Sequence, residues 1–487
     1  MQGLAGTFGS NDRVLVKEML GMIRHRGQED EMIIETEGVT IGGCKHRLQN
    51  DRTSASIVVE DDIAVAADSY LFNRDSLQLN FFGKIDPEVP DSRLVLDLFK
   101  LKGPSALNHL SGAFAISILN GKELILARDS YGLKPLYISL AENIGGYSSE
   151  MKSQQMLDDD FRPFPCGGIF STVSGFKEII PEIVHRMNNV EPGLCLRRLI
   201  GRSVGRCIER GNRVNVLLSG GLDSSVIAAE AARQCDDVNT LCVGMNGSKD
   251  IEMARKVAVH LGTDHKERTY DIDDMIETLD KAIYSLESFD LPLVRSSIPN
   301  YLATHSITDR GCVTLCGEGS DEIFGGYDHM IELDDRTLRE ERNSLLLGGH
   351  LTGFQRVDRM TSSASLDCRM PFMDPAIIAY GLKIGAKDLV DGRYGLSKIA
   401  LRKAYGGLLP DEVVQRQKKR FSDGAGSMEA MKGIAEREIT DREFEKETKD
   451  IPGGRVRNKE ELMYYRIFMS HFGTCRCMDA VGMTPRI

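Results

Sequence analysis

Long apolar runs are missing from this 487-residue sequence. None approaches the ~20 residues that a membrane-spanning helix needs, which argues against an integral membrane protein of the helical class. Positive charge is in deficit: 61 Lys and Arg stand against 72 Asp and Glu, a net charge of −11. That balance argues against non-specific binding to nucleic acid or anionic membranes, which needs a positive surface. It leaves room for a local basic pocket that holds phosphate. No Cys-x-x-Cys occurs among the eleven cysteines, and their number is odd. With no signal peptide in front, they read as free thiols in a reducing cytoplasm. The nearest approach to a pair is Cys475 and Cys477, and no second ligand pair lies near them. Tryptophan is absent, and that absence excludes no class.

The rest of the composition is that of a soluble globular protein, with 41% hydrophobic and 27% charged residues. The length suggests two or three domains and a core that needs no disulfide or metal staples. The first third reads as short apolar strands at 39–43, 56–60, 62–67, 112–119 and 123–128, separated by charged or Gly/Asn turns. One helical pattern lies between them, Asp91–Lys102, with Leu94, Val95, Leu98 and Phe99 on one face. This is an α+β pattern with layered sheets. Around Pro181 and Pro192 the character changes. Strands at 214–218, 240–245, 266–270 and 312–316 alternate with helices starting near Asp223, Asp250 and Asp273, which predicts a parallel sheet covered on both faces. After Asp321 the chain reads as mostly helical.

Ser-Gly-Gly-Leu-Asp-Ser-Ser at 219–225 is the sharpest local feature. It lies between an apolar strand and a helix. Gly220 and Gly221 let the backbone bring its N–H groups to an anion, and the helix N-terminus favours negative charge. Ser219, Ser224 and Ser225 add hydroxyl donors. Asp223 suits phosphate only with a divalent cation between them, which predicts Mg²⁺. Without a ligand, the same residues would serve as a Gly-Ser turn with an Asp cap. No Gly-Lys-Ser or Gly-Lys-Thr follows the glycines, so this is not a Walker loop; it resembles the PP-loop of ATP pyrophosphatases. Gly-Glu-Gly-Ser-Asp-Glu at 317–322 follows the strand 312–316. Ligands of open parallel sheets sit beyond the carboxyl ends of the strands, so both acidic loops should converge. Asp321 can then join Asp223 on the metal, leaving Glu318 free for proton chemistry. A third segment, Arg-Gln-Lys-Lys-Arg-Phe-Ser-Asp-Gly at 416–424, reads by spacing alone as a solvated face. Docked against the domain, its Lys418 could neutralise a leaving pyrophosphate.

These segments, with Arg-Met-Pro-Phe-Met-Asp (369–374) and Val-Arg-Ser-Ser-Ile-Pro-Asn-Tyr-Leu (294–302), resemble the glutamine-dependent asparagine synthetase family from residue 3 to about 472. The resemblance implies an N-terminal Ntn-hydrolase-like layered αββα domain, a glutamine amidotransferase of class II, over 1–185. Over 186–487 it implies an α/β parallel-sheet PP-loop ATP pyrophosphatase domain of HUP-like fold. It further implies a ligase that activates a carboxylate, aspartate by default, as an acyl-adenylate and releases AMP and pyrophosphate. By this resemblance Leu218, Val243, Cys316 and Gly317 contact ATP, Asp223 and Asp321 hold magnesium, Glu318 handles the proton of ammonia, and Lys418 stabilises pyrophosphate.

The first domain departs from the family at its decisive place. Family members begin Met-Cys-Gly-Ile, with the cysteine as nucleophile and its amine as base; here the second residue is Gln2, which has no thiolate. Arg47 survives in His46-Arg47-Leu48. The family's pocket Glu stands here as Tyr70, and its oxyanion Asn-Gly pair as Asp68-Ser69. Asp91 still matches the acid that would hold the glutamine amine. The expectation is therefore an amide-forming ligase with a dead glutaminase. It would use ammonia, free or from a separate glutaminase, or another amine. A β-lactam synthetase-like ligase is the second reading, although those enzymes carry Tyr where this chain keeps Glu318. A non-catalytic binding or regulatory homologue is the third. The resemblance leaves open a homodimer.

Overall fold

The computed structural model describes residues 1–46, 48, 55–141, 144–157, 160–178, 192–208, 213–417, 427–449, 451, 455–473 and 478–484. The expected boundary at 185/186, Arg47, Lys418 and the Cys475/Cys477 pair lie outside them.

The first part is built on two antiparallel sheets of six strands each. One runs in the order Phe161–Pro163, Tyr137–Ser139, Gly145–Ser148, Gln2–Phe8, Val39–Lys45, Asp30–Thr36. The other runs Gly175–Glu178, Gly168–Ser171, Glu123–Arg128, Gly112–Asn120, Ile63–Leu71, Val58–Glu60. Side chains of a strand alternate between faces, and this alternation sets the layers. Ala64, Ala66, Ala115, Leu119, Leu124 and Leu126 face the first sheet, where Leu4, Val39 and Ile41 meet them. Their neighbours Val65, Ala67, Ile116, Ile118, Ile125 and Ala127 face outward, under the helix Asp91–Lys102. The outer face of the first sheet is covered by the helix Arg13–Met22, through Val16, Met19 and Leu20. The result is the αββα layering that the resemblance implies.

The second part has a fully parallel sheet of five strands, ordered Asp264–Tyr270, Asp237–Met245, Arg213–Leu217, Thr314–Leu315, Cys368–Arg369. The chain builds one side of this sheet outward from Arg213–Leu217 and then returns to that strand's other edge. That reversal is the switch point at which open parallel sheets leave a crevice.

The two parts share their cores. Tyr70, Phe72, Ala113 and Leu133 belong to one apolar cluster of the second part, and Tyr137, Met151 and Phe161 to the other. Between these clusters lies a buried set of four cations and four carboxylates: Arg26, Lys134, Lys152 and Arg359 with Asp68, Glu150, Glu287 and Asp358. Arg26 is wholly buried. Two of its nitrogens fork onto Asp358 at 2.8 and 2.9 Å, and it also reaches Glu150 at 2.7 Å and Asp68 at 3.1 Å.

Burial alone would raise the carboxyls of Glu150 and Asp358. For Glu150 the charges of His25 and Lys152 outweigh it, and for Asp358 that of Arg26, so both are held below the ordinary carboxylate range. A depressed folded value stabilises fully above the unfolded one, about 4, and the gain is lost as the pH falls through the folded value. The melting temperature should therefore change little from pH 8 to 5 and drop steeply below about pH 4. Arg26→Met would strand buried carboxylates, and denaturant unfolding should show a loss of about 3–5 kcal/mol. A loss under 1 kcal/mol would mean that the charges do not hold the two parts together.

Candidate functional site

A cleft of about 880 Å³ opens at the carboxyl ends of the parallel strands. Strand Arg213–Leu217 runs into the loop 218–221, and helix Leu222–Ala232 follows at once. Gly220 takes φ 72°, and a Cβ there would meet the backbone N of Ala254 and O of Asp250, both at 2.6 Å. Only glycine lets the loop pass this close to the next helix. On the other side, a Cβ on Gly317 would lie 2.8 Å from the backbone N of Ser224. The two acidic loops are therefore in direct backbone contact.

That contact brings the charged side chains together. Ser320 Oγ donates to Asp223 Oδ1 at 2.7 Å. Lys398, 2% exposed, places its Nζ 2.5 Å from both Asp223 Oδ2 and Asp321 Oδ1. Burial would lower the pKa of this ammonium, but the two carboxylates more than compensate and raise it. Lys398 holds left-handed backbone, φ 59°, a strained conformation for a residue with a side chain. Gly326 is the space it needs, since a Cβ there would meet Lys398 Cε at 2.3 Å.

Glu318 does not stand free, as the sequence suggests. Arg356 Nη2 donates to both its oxygens at 2.8 Å, because helix Gly353–Ser363 carries the guanidinium over the second loop. Glu322, beneath it, is pushed up to about 7 by burial and by the charges of Glu318 and Asp321, and Tyr327 donates to it at 2.5 Å.

Leu218, Ser219, Gly221, Asp223, Ser224, Val243, Cys316, Gly317, Glu318 and Asp321 all line the cleft. Gly220 and Ser225 do not. The expectation for Ser225 as a phosphate donor needs correction: it is fully buried and donates to Gly221 O at 2.7 Å, back into its own helix. The basic run contributes Arg416, which bonds Asp250 at 2.5 Å and Gly220 O at 3.4 Å and so docks against the loop 218–221. Sequence reasoning misses Lys398 and Arg356. Lys398 has no motif around it, and only the Gly325-Gly326 pair hints at a close approach.

The donor set suits a magnesium that arrives with phosphates. Magnesium commonly takes one or two carboxylates and fills its remaining positions with phosphate oxygens and water. Asp223 and Asp321, held around one point, provide that pair. Among the described residues no group of three or more His, Cys, Asp or Glu converges to hold a metal unaided.

The other expected pocket is filled by the protein itself. Gln2, 1% exposed, gives its backbone N–H to Asp68 Oδ1 at 3.1 Å, and its side-chain amide donates to Ser56 O. Asp68, expected to repel an oxyanion, is neutralised by Lys134 and Arg26, each at 3.1 Å. Tyr70 does not line an open pocket: its ring packs in the second part's core and its hydroxyl accepts from Met370 N at 3.2 Å. Asp91 accepts from Leu71 N at 3.1 Å and Ser69 Oγ at 3.3 Å. Cys44, opposite Gly3 on the neighbouring strand, is pushed up to about 12 by burial.

The sequence matches the family model of asparagine synthase over residues 195–354 and 350–477, and that of the glutamine amidotransferase domain over 1–163. It is 28% identical to asparagine synthetase B, glutamine-hydrolysing, of Escherichia coli (strain K12), over 96% of this chain and 90% of that one. It is 28% identical to the Zea mays asparagine synthetase, glutamine-hydrolysing, over 100% and 89%. Among solved structures, NMN synthetase from Francisella tularensis matches at 14% identity and a TM-score of 0.29, over 61% of this chain and 100% of that one.

Removing the ammonium tests, without any turnover, whether Asp223 and Asp321 share a metal ion. In Lys398→Met the two carboxylates face each other uncompensated, so millimolar Mg²⁺ should raise the melting temperature of the variant more than that of the wild type. At ten times Kd the gain is about 1.4 kcal/mol. Equal responses would mean that Asp223 and Asp321 do not share a cation.

Proposed function

The chain belongs to the asparagine synthase family of ATP-dependent C–N ligases, and on that premise we propose that it makes asparagine from aspartate and ammonia without a glutaminase of its own. The observation that carries the reading is the convergence of Asp223, Asp321 and Lys398 where the two loops touch. A carboxylate is a poor electrophile and its oxygen a poor leaving group. Transfer of AMP to it creates a leaving group, at the cost of charge on the departing pyrophosphate.

The residues divide this work as follows. Backbone N–H groups of the loop 218–221 and the following helix N-terminus receive the phosphates. Asp223 and Asp321 would hold a magnesium, which when bound offsets phosphate charge. Lys398 fixes both carboxylates and adds its own positive charge beside them. Lys418 is proposed for the pyrophosphate. Glu318 accepts the proton of the attacking nitrogen once Arg356 gives way.

The proposal that glutamine is not the nitrogen source is supported by the first part of the chain, read as a 1–185 amidotransferase-like unit. Gln2 occupies the nucleophile's position and Asp68 that of an oxyanion donor. The neighbouring thiol of Cys44 is buried and protonated, so it offers no thiolate.

Purified chain with ATP, Mg²⁺ and aspartate should release AMP and pyrophosphate with ammonium, and form no stoichiometric glutamate when given glutamine. ADP as the main product would defeat the class of chemistry. Glutamate without an added glutaminase would defeat the ammonia reading alone. Asp223→Ala and Asp321→Ala should each slow turnover by at least ~100-fold, since each leaves phosphate charge uncompensated. Near wild-type rates in both would remove the metal pair from the mechanism.

A further inference from the structure

Arg356 sits in the cleft beside the residue that handles the nucleophile, and its donors are only partly spent. Nη2 gives both oxygens of Glu318 a bond at 2.8 Å. Nη1 gives one bond, at 3.0 Å, to Ser296 Oγ, whose own hydrogen goes to Pro292 O and Leu293 O. Nε has no partner and is buried. A guanidinium satisfies a carboxylate best through two nitrogens in a fork. Here one nitrogen serves both oxygens, so a second hydrogen on Nη1 remains for another acceptor.

The surroundings fix this arrangement. Gly353, at the start of the same helix, leaves the room this carboxylate occupies, since a Cβ would meet Glu318 Oε1 at 2.5 Å. Ser296 is held by its own helix turn, so the guanidinium has a fixed rest. Both members of the pair are about a fifth exposed, 19% and 20%, so a ligand in the cleft can reach them. Both line the 880 Å³ cleft, together with Asn300 and Thr352. A cation held over the reacting end of a ligand cleft, with a donor to spare, suits an anionic group on the ligand.

We propose that Arg356 anchors a second, unreacted carboxylate of the substrate that meets Glu318, and so selects substrates bearing an amino-acid carboxylate. The proposal rests on the ligase reading. Substrate binding exchanges one carboxylate for another at the guanidinium, and this frees Glu318 for the amine. Unlike ammonia or a simple carboxylate, such a substrate completes the site itself. The carboxylate can be the α-carboxylate of aspartate as acyl donor, or that of an amino acid serving as the amine.

The test compares wild type with Arg356→Gln and Arg356→Lys, each checked by thermal melting. The first readout is kcat/KM for aspartate relative to β-alanine, which lacks the α-carboxylate, at fixed ammonium. The second is kcat/KM for glycine relative to methylamine as acceptor, at fixed aspartate. The third is binding of aspartate and of glycine by calorimetry, which needs no turnover. Arg356→Gln should lower one of the two ratios by at least 10-fold and weaken the matching ligand by a similar factor, with Arg356→Lys in between. A fall in the first ratio identifies the acyl donor as the source, and a fall in the second the acceptor. Unchanged ratios and unchanged binding would overturn the proposal, as would a wild type that binds neither ligand. A wild type that releases no pyrophosphate, yet loses aspartate binding on Arg356→Gln, would defeat the ligase reading while keeping Arg356 as the anchor of an amino-acid carboxylate.

Discussion

Eight charges buried together must be neutral as a set, because an isolated ion in a dry interior is costly by several kcal/mol. Arg26, Lys134, Lys152 and Arg359 meet that condition only with carboxylates drawn from both parts of the chain. Neither part satisfies the set alone. Arg26 needs Asp358, which lies 332 positions away in sequence, and Lys152 needs Glu287. The apolar clusters on either side cross the same junction. The first part is thus fixed to the second by electrostatic necessity as well as by apolar area, whatever chemistry it carries.

The same junction accounts for the contrast between the two pockets. In the first, the two carboxylates that could meet a ligand are already engaged by the protein. Asp68 takes two cations and an amide, Asp91 an amide and a hydroxyl, and Gln2 fills the position of the nucleophile. In the second, the groups are gathered but left open to a cleft. Asp223 and Asp321 side chains are 22% and 24% exposed although the lysine between them is buried. A site that satisfies itself has no driving force to bind; one whose charges face solvent keeps that force for a ligand.

Much of the frame is legible in the sequence, and the reasons are local. Strands such as Gly112–Asn120 and Glu123–Arg128 alternate between two buried faces, so they read as apolar runs bounded by turns. The helix Asp91–Lys102 carries a full apolar stripe. The two loops are legible because their glycines and acids sit next to one another in the chain. Strand Gln2–Phe8 is not, since Gly3, Ala5 and Gly6 carry too little side chain to show a period. Lys398 and Arg356 are illegible for another reason. Their partners lie 175 and 38 positions away, and nothing in their neighbours marks them. Tyr70 is misplaced for the same cause, because its partner, Met370, is 300 positions distant.

The proposal that the first part lacks its own chemistry, and not merely one atom of it, is supported by how its strands are occupied. A Cβ at Gly43 would meet Gln2 Nε2 at 2.8 Å, so this glycine leaves the room that the glutamine amide occupies. Asp68, where an oxyanion donor would be needed, also binds Arg26 and Lys134, two members of the junction's charge set. An amide there would leave both cations short of a counter-charge in a buried place. The residue that would repel an oxyanion is thus one that holds the chain together. Restoring a thiol at position 2 changes neither Asp68 nor the bonds around it. On that proposal, glutamine chemistry and the present junction compete for the same carboxylate, and Asp68 is paired with the junction's Arg26 and Lys134.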